Sequence, residues 1–438
     1  MSKLNSIPNW TILSIMLIMT LVSNNLNWSR PNSWENIINA DAKGYYAYLP
    51  ATLIYHDLNF GFFEAIENGK YYNEDGFYDY RSMHEGKYIN KYYSGTAIAQ
   101  APFFIIAHSL AETLGYESDG YSKPYIISIT IGSLLYLLFG LILISKLLKL
   151  FDIQGWNNAI VLIAFVFGSN LFSYSIIDIG MSHIYSFVFI TLFLYQTKLY
   201  FNSPSARRII LIAIITGFIV LIRPVNGLVI FAIPFLAGSK ESLIAGFRNL
   251  VGHYKRTTLI GLLLGVLVIS IQLFIYKIST GSFFVFSYGE EGFNFLDPHI
   301  IDILFSYRKG LFLYTPIYLV SLLGLYFMFR NDKFQSLTLI GFLALLIYIL
   351  SSWWNWWYGG SFSSRVFVDF IPFFAIPLGF ALKSMQKRLS RITLLSIISV
   401  LIVICQIQIY QYRYYFIHYE NMDMEKYWEV FLRVDYLL

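Results

Sequence analysis

The stretch YIISITIGSLLYLLFGLILIS, residues 125–145, decides the fold class of this chain. It has no charged residue over 21 positions, and a helix needs roughly 20 mostly apolar residues to cross about 30 Å of hydrocarbon. The whole chain has the same character, because 57% of its 438 residues are hydrophobic and only 13% are charged. Soluble proteins carry about 25% charged residues. Composition therefore excludes a soluble enzyme and a disordered chain, and it predicts an all-α polytopic membrane protein.

Similar apolar stretches recur along the chain, which we expect to form one membrane-embedded domain over residues 1–438 with about eleven crossings. The longer stretches are 10–27, 125–147, 157–175, 183–201, 258–279, 311–329, 335–352, 368–383 and 392–410. Two shorter ones, 209–222 and 225–238, lie between basic stretches and are therefore predicted to form a hairpin. An arm of 14 residues spans only about 21 Å, so the turn of this hairpin is expected below the membrane surface.

Charge sets the expected topology. Segment 97–115 is ambiguous, because it is apolar but contains Gln100, Pro102, His108 and Glu112. If it lies at the interface, one side of the membrane holds 16 Lys and Arg against 3 Asp and Glu, and the other side holds 15 against 23. Cytoplasmic loops carry the excess of Lys and Arg. We therefore expect this segment not to cross, the N-terminus to be cytoplasmic and the C-terminus to lie outside.

Four outer segments follow from this topology. They are the long first loop 28–124, the loops 280–310 and 353–367, and the tail 411–438, in which apolar residues at helical spacing predict an amphipathic helix. The spans have almost no ionisable residues away from their ends, whereas ion-coupled transporters usually need them. The single cysteine, Cys405, has no partner for a disulfide or a Cys-rich metal site. Chemistry is therefore expected at the outer face, without a metal or other cofactor.

Asp41 is the first candidate for that chemistry. It lies early in the first loop and begins the stretch DAKGYYAYLP, where a carboxylate above the lipid can accept a proton. The alternatives are a solvated acid of the loop and a helix N-cap, because Asp is a good capping residue. The tyrosines that follow, starting with Tyr45, are typical of an interfacial belt. Beside a polar cleft, such rings can also stack on the apolar face of a sugar.

The third outer loop is rich in aromatic residues and ends near an arginine. Four of the nine tryptophans lie within five positions here, and an interfacial belt explains only one or two of them. Trp354, Trp357 and Tyr358 are therefore candidates for lining a sugar site. The Gly359-Gly360 turn and Arg365 suggest an anion site made of backbone and guanidinium groups.

The second outer loop has both acidic and basic candidates. Glu290 and Glu291 lie in a glycine-containing turn, and Arg308 and Lys309 lie at the outer end of a predicted span. The alternative for the two basic residues is ordinary anchoring to lipid headgroups. His183 begins another span after a short turn, and solvation of that turn is its alternative explanation.

Arg223 is a separate candidate because of its depth. It lies with Asn226 in the turn of the short hairpin, and neither arm contains an acid. An arginine inside a bilayer is costly unless it is paired. One explanation is a structural pair with an acid from another loop, such as Asp178 or Asp369. The other is that Arg223 and Asn226 line the floor of a cavity and hold a phosphate.

Five stretches together resemble the GT-C glycosyltransferase superfamily, and in kind the bacterial homologues of protein O-mannosyltransferases and of lipid A aminoarabinose transferases. They are DAKGYYAYLP (41–50), NKYYSGTAIAQAPFF (90–104), LIRPVNG (221–227), RKGLFLYTP (308–316) and WYGGSFSSRVFVD (357–369). The resemblance implies a sugar donor on polyprenyl phosphate, with Asp41 as general base. By position, it also implies that Arg308, Lys309 and Arg365 hold the lipid phosphate, and Lys91 joins them as a candidate.

The chain departs from the mannosyltransferase pattern, because Ala40 replaces the acid of an adjacent pair and a His-Pro-Pro stretch is missing before residue 97. The donor sugar and the acceptor, whether glycan, lipid or protein, therefore stay open. The expected activity is inverting sugar transfer at the outer face of a bacterial inner membrane, with no nucleic-acid partner. The alternatives are a transporter or flippase of lipid-linked glycans, a polymerase or ligase of the O-antigen type, and a non-catalytic scaffold.

Overall fold

The computed structural model describes residues 3–29, 33–74 and 77–435, and the chain is almost entirely helical in these residues. The helices of the first half are α1 (Lys3–Ser23), α2 (Asp41–Leu53), α3 (Phe63–Ala65), α4 (Gly95–Ala111), α5 (Lys123–Lys149), α6 (Gly155–Phe167), α7 (Leu171–Ile176), α8 (Ser182–Asn202), α9 (Ala206–Ile222) and α10 (Ile233–Ala237). Those of the second half are α11 (Lys240–Val251), α12 (Lys255–Thr280), α13 (Ile300–Phe305), α14 (Leu311–Tyr314), α15 (Ile317–Ser321), α16 (Leu323–Asn331), α17 (Lys333–Ser351), α18 (Pro372–Ser384), α19 (Arg388–Arg413) and α20 (Met424–Val430). In the described residues the only sheet is an antiparallel hairpin of β1 (Arg81–His84) and β2 (Lys87–Asn90).

Seven helices of the described residues are long and apolar enough to cross a membrane. They are Ser6–Trp28, Gly95–Leu114, Lys123–Lys149, Ser182–Asn202, Lys255–Thr280, Lys333–Ser351 and Arg388–Arg413. Six of them coincide with predicted spans, and the remaining one, Gly95–Leu114, contains the segment expected not to cross. The helical, multi-pass character of the chain is thus confirmed, whereas the number of eleven crossings stays a prediction.

Several predicted spans are not continuous helices, and Gly and Pro explain the breaks. The stretch 157–175 divides into α6 and α7, and Gly168 directly follows α6. The stretch 311–329 divides into α14, α15 and α16, with Pro316 directly before α15. Pro lacks the amide hydrogen that a continuous helix needs. Hydropathy registers how apolar these stretches are, but not that their backbones are interrupted.

The helix bundle has two chemically different ends. Lys and Arg residues surround the C-termini of α5 and α18 and the N-termini of α12, α17 and α19, and we call this end the basic end. The N-termini of α5 and α8 and the C-termini of α9, α12 and α17 point to the opposite end. We call this the loop end, because the long segments 33–94 and 281–310 lie there.

The short hairpin around Arg223 has one α-helical arm and one arm of mixed winding. α9 ends at Ile222, and after Arg223 the chain forms a 3-10 helix, Pro224–Ala232, that continues into α10. Asn226, Val229 and Ala232 are its buried residues. They are three positions apart, as the three-residue turn of a 3-10 helix requires. The returning arm reaches the basic end, where Lys198 of α8 donates to the carbonyl of Leu236 at 3.1 Å.

α4 covers only the N-terminal half of α5. Tyr136 of α5 donates to the carbonyl of Ala99 at 3.0 Å, and His108 lies 2.6 Å from the hydroxyl of Tyr125 near the start of α5. α4 therefore begins beside the middle of α5 and ends at the loop end. Its length and composition allow a crossing, so the predicted interfacial position stays a prediction.

The loop end carries a compact layer over the bundle. The β1–β2 hairpin, which the sequence analysis does not predict, pairs Arg81 with Asn90 and His84 with Lys87. In the tail, α20 is only seven residues long; Tyr427 is buried, whereas Trp428 is about half exposed. This is the division of faces expected of an amphipathic helix.

Candidate functional site

Asp41 is the first residue of α2, and its carboxylate is held by two side chains from distant segments. Oδ1 accepts a hydrogen bond from the Tyr92 hydroxyl at 2.7 Å, and Oδ2 accepts one from Arg365 NH2 at 2.6 Å. Burial would raise the pKa of Asp41, but the charge of Arg365 and these hydrogen bonds lower it below its usual value. The N-cap of α2 is Ala40, and no side chain caps the helix. The capping alternative for Asp41 is therefore not what the structure has.

The backbone before Asp41 is strained. Ala40 has φ 47° and ψ −131°, in a region that residues with a Cβ atom rarely adopt. Strained residues of this kind persist where surrounding contacts hold them and are common at functional sites.

Arg223 lies in a second group of buried polar side chains. Asp369 is at its centre: Oδ1 lies 2.7 Å from Nδ1 of His183, and Oδ2 accepts from the Asn226 amide at 2.7 Å. Asn226 also donates to Ser186 Oγ at 2.9 Å. Arg223 NH1 lies 3.9 Å from Asp369 Oδ2 and 3.3 Å from Nδ1 of His183. Asp369 thus provides the acid that the structural explanation of Arg223 requires.

That pairing leaves much of Arg223 available. Its contacts in the described residues all involve NH1, so Nε and NH2 have no protein partner there, and the side chain is 16% exposed. A guanidinium group presents five N–H donors in a planar fork that suits a phosphate. Arg223 can therefore bind an anion while Asp369 offsets part of its charge.

Tyrosine rings connect the Asp41 and Arg223 groups. Tyr45, one turn after Asp41, packs on Tyr92 with ring centroids 4.7 Å apart, and its hydroxyl accepts from Ser182 Oγ at 3.3 Å. The Tyr45 hydroxyl group also interacts electrostatically with Arg223, Asp41 and Arg365. Asp41, Arg365, Arg223, His183, Asn226, Asp369 and Tyr45 therefore form one site, which we call the Asp41 centre.

Two further tyrosines close the Asp41 centre. Tyr358 is buried, and burial raises the pKa of its hydroxyl, while Arg223 and Arg365 oppose the rise. Tyr288 packs edge-on against Tyr92, with ring centroids 6.3 Å apart. Burial likewise raises its pKa, and the charges of Arg223 and Asp41 both act on it.

The predicted residues Lys91 and Glu291 form an ion pair at the rim of this centre. Lys91 also lies 5.3 Å from the centroid of the Tyr288 ring. The pair thus joins the end of the β hairpin to the second outer loop. Glu290 is exposed and Trp354 is about half exposed at the surface, so the structure does not bring these two to the centre.

Arg308, Lys309 and Trp357 lie in a separate group with Glu420, which we call the Glu420 cluster. The Arg308 guanidinium stacks on the Trp357 ring at 3.5 Å, and its Nε donates to the Glu420 carbonyl at 3.1 Å. Trp357 Nε1 donates to Glu420 Oε1 at 3.1 Å. Lys309 is buried and donates to the carbonyls of Ser361 and Tyr419. Binding of phosphate by Arg308 and Lys309 stays a prediction, but their contacts here anchor the C-terminal segment.

The Asp41 centre lies well below the loop end of the bundle. Tyr185, in the first turn of α8, packs on Tyr136 of α5 with ring centroids 4.7 Å apart. Tyr136 is about 13 residues, or roughly 20 Å, from the start of α5. His183 therefore lies on the order of 15 Å below the N-terminus of α5.

Apolar cavities begin beside Arg223 and continue along the short hairpin. One of about 450 Å³ lies along the 3-10 helix and is lined by Pro224, Leu228 and Phe231, together with Phe293 and Phe295 of the second outer loop. Another, of about 330 Å³, lies between α8, α9, α11 and α12 and shares lining residues with the first. Both cavities are lined almost entirely by apolar groups, and Thr216 and Ile230 line both of them.

Sequence reasoning did not assign Tyr92, Tyr288 or Tyr174 to the site. Tyr92 is 51 positions from Asp41 in sequence, and no local pattern distinguishes it from the many other tyrosines of the first loop. Asp369 appeared only as a possible partner of Arg223. In the part of the chain that the structure describes, no group of three or more His, Cys, Asp and Glu side chains has a geometry that could hold a metal ion.

The chain matches no known family model and no curated protein sequence. The geometry of the Asp41 centre is therefore the basis for an assignment of function. It combines an ionised carboxylate, two arginines, aromatic walls and an adjoining apolar cavity.

Proposed function

We propose that the chain is an integral-membrane glycosyltransferase that moves a sugar from a polyprenyl-phosphate donor to an acceptor hydroxyl. The observation that carries this proposal is the meeting of Asp41, Arg365 and Arg223 beside an apolar cavity. These residues come from three distant parts of the sequence, and each part belongs to a stretch that resembles the GT-C superfamily. In this proposal the fold is GT-C-like, and the site faces the extracytoplasmic side of a bacterial inner membrane.

The cavity along the 3-10 helix supports a lipid-linked donor. A polyprenyl chain is a long chain of apolar isoprene units, and a cavity of about 450 Å³ with almost no polar lining is suited to part of it. Arg223 precedes Pro224 at the edge of this cavity. A lipid chain in the cavity would bring its phosphate to the accessible nitrogens of Arg223.

The two arginines support a phosphate leaving group. When the bond between the anomeric carbon and the phosphate oxygen breaks, the electron pair stays on that oxygen and the phosphate gains negative charge. A preorganised donor aimed at such a charge contributes roughly 3 kcal/mol to catalysis. Arg223 takes this role in the proposal, and the charge of Arg365 acts on the same tyrosine, Tyr45, as that of Arg223.

Asp41 supports the other half of the reaction. The acceptor oxygen forms a bond to the anomeric carbon on the face opposite the phosphate, and its proton passes to the Asp41 carboxylate. Direct displacement of this kind inverts the anomeric configuration. The lowered pKa of Asp41 keeps it ionised at neutral pH, and a carboxylate can take the proton late in the transition state.

The test is transfer in proteoliposomes. Purified protein is reconstituted with undecaprenyl phosphate carrying radiolabelled glucose, mannose, galactose or arabinose, and a bacterial envelope extract supplies acceptors. We expect label from at least one donor to appear in acceptor, and Asp41→Asn to abolish it. No transfer from any donor, or equal transfer by Asp41→Asn, contradicts the proposal. Movement of a donor across the bilayer without transfer instead supports a flippase.

A further inference from the structure

Several buried polar atoms near the Asp41 centre have no hydrogen-bond partner in the part of the chain that the structure describes. Three of them are Oδ2 of Asp178, the hydroxyl of Tyr174 and Nε of Arg365. Burying a polar group without a partner costs free energy, and native structures contain few such groups. Three that lie together call for a ligand or an ordered water molecule between them.

Contacts with neighbouring residues bring these three side chains together. Tyr174 packs on His183 with ring centroids 4.7 Å apart, and the charges of Asp178 and Arg365 both act on its hydroxyl. The turn that holds Asp178 lies against the start of α2, because a Cβ atom on Gly180 would be 3.1 Å from Cβ of Ala42. Arg365 reaches the same place from the third outer loop.

The NH2 and Nε atoms of Arg365 differ in their hydrogen bonding. Its NH2 group donates to Asp41, whereas its Nε is buried and unpaired. Burial raises the pKa of Asp178 to about 6, although Arg365, Arg413 and Lys309 act against the rise. At neutral pH Asp178 is therefore mainly a carboxylate that lacks a donor at Oδ2, next to an arginine that lacks an acceptor.

The combination of groups limits the chemistry of the ligand. An anion would be repelled by Asp178, and a cation would be repelled by Arg365. An apolar group would leave all three polar atoms unsatisfied. A hydroxyl group can donate to Asp178 and accept from Arg365 or Tyr174 at the same time.

We propose that Asp178, Tyr174 and Nε of Arg365 form a subsite that binds a sugar hydroxyl group. The proposal rests on the proposed function, because the same arginine holds Asp41. The hydroxyl belongs either to the sugar of the donor or to the acceptor glycan. In both cases the subsite fixes the orientation of a ring beside Asp41 and so contributes to the choice of sugar.

Tyr174→Phe is the sharpest variant, because it removes only the hydroxyl. Since that hydroxyl has no protein partner, its loss should leave the melting temperature of the empty protein unchanged or raise it. Tyr200→Phe is the matched control. Tyr200 is also buried, but its hydroxyl donates to the carbonyl of Gly246 at 2.8 Å, far from the subsite, so this variant should melt at a lower temperature.

Binding is measured in two arms, for wild type, Tyr174→Phe, Asp178→Asn and Tyr200→Phe. The donor arm compares undecaprenyl phosphate with its glucosyl, mannosyl, galactosyl and arabinosyl conjugates. The acceptor arm uses the methyl glycosides of the same sugars. We expect wild type and Tyr200→Phe to bind at least one sugar-bearing probe about tenfold more tightly than Tyr174→Phe and Asp178→Asn do. Binding of undecaprenyl phosphate alone should be equal in all four.

The arm in which affinity is lost identifies the source of the hydroxyl group. The subsite is overturned if both variants keep wild-type affinity for every sugar, or if wild type binds none of them. It is also overturned if Tyr174→Phe melts as early as Tyr200→Phe, because its hydroxyl would then already be satisfied by water. These readouts need no turnover. A protein that passes them but transfers no sugar contradicts the proposed function and leaves the subsite standing.

Discussion

The Asp41 centre and the Glu420 cluster are alike in composition and differ in what holds their basic side chains. Each has two basic residues beside aromatic rings. In the Glu420 cluster, Arg308 is stacked on Trp357 and bonded to Glu420, and Lys309 is buried with two carbonyl acceptors. In the Asp41 centre, Arg223 has accessible nitrogens and Arg365 has an unpaired Nε.

The difference separates anchoring from binding. Arg308 is held by Glu420 and by stacking on Trp357, and such contacts tie the C-terminal segment to the bundle. A cation with unused donors in a partly closed site is ready for an incoming acceptor. Residue type and position in the chain do not distinguish the two cases. The hydrogen-bond partners of the basic side chains do.

The largest expected effect comes from removing the charge of Asp41. Asp41→Asn keeps the shape of the side chain and an oxygen for Arg365, so turnover should fall by about 10²–10⁴-fold while donor binding persists. Glu420→Gln is the matched control and should leave initial rates within about threefold of wild type. Rates in proteoliposomes measure both. If Asp41→Asn keeps more than about a tenth of wild-type turnover, Asp41 is not the base.

The next largest effect is expected when Arg223 and Arg308 are compared as phosphate ligands. Arg223→Lys keeps the charge but loses the guanidinium fork, so affinity for undecaprenyl phosphate should fall by about tenfold with little change in melting temperature. Arg308→Lys should leave this affinity unchanged. Equilibrium binding and thermal unfolding measure both quantities. An Arg223→Lys protein that loses stability but binds normally would make Arg223 only the structural partner of Asp369.

A third test examines Lys309 through pH. Burial, with the nearby charge of Arg365, lowers the pKa of Lys309 to about 7, whereas an unfolded lysine titrates near about 10.4. Between these values the unfolded state binds more protons, so stability should rise with pH. Melting temperatures from pH 7 to 10 should show this rise, and Lys309→Met should flatten it. An unchanged slope in the variant would mean that Lys309 stays protonated in the fold.

The smallest effect concerns the strained residue before Asp41. Ala40→Gly removes the Cβ atom at φ 47°, so the free energy of unfolding should rise by up to about 1 kcal/mol. Ala42→Gly is the control of opposite sign, because Ala42 is buried inside α2 and glycine costs about 1 kcal/mol there. Thermal unfolding of both variants is the measurement. Equal losses in both would show that Ala40 is not strained.

Much of the bundle could be predicted from sequence because burial in lipid leaves a strong and local signal. α5 and α12 are long, apolar and free of charge in their centres, so their existence follows from composition alone. The interrupted elements are different. α14 and α15 meet at Pro316 in a stretch that is just as apolar, and hydropathy averages over such a break.

The site was only partly predictable, because its contacts join residues that are far apart in the chain. Asp41 and Arg365 were each candidates. However, the hydrogen bond between them joins residues 324 positions apart, and no sequence spacing predicts it. Arg308 and Lys309 were equally good candidates by type and position. Their partner Glu420 lies 112 positions after Arg308, in a tail read as an amphipathic helix only.

The winding of the 3-10 helix after Arg223 also determines how long the returning arm of the hairpin is. Its nine residues rise about 2.0 Å each, and with the five of α10 they reach roughly 25 Å, which equals the reach of the 17-residue α9. Rewinding these nine residues as an α-helix would shorten the arm by about 4–5 Å. Arg223 would move toward the basic end by that distance. The winding of one short segment thus sets the depth of the guanidinium group in the bilayer.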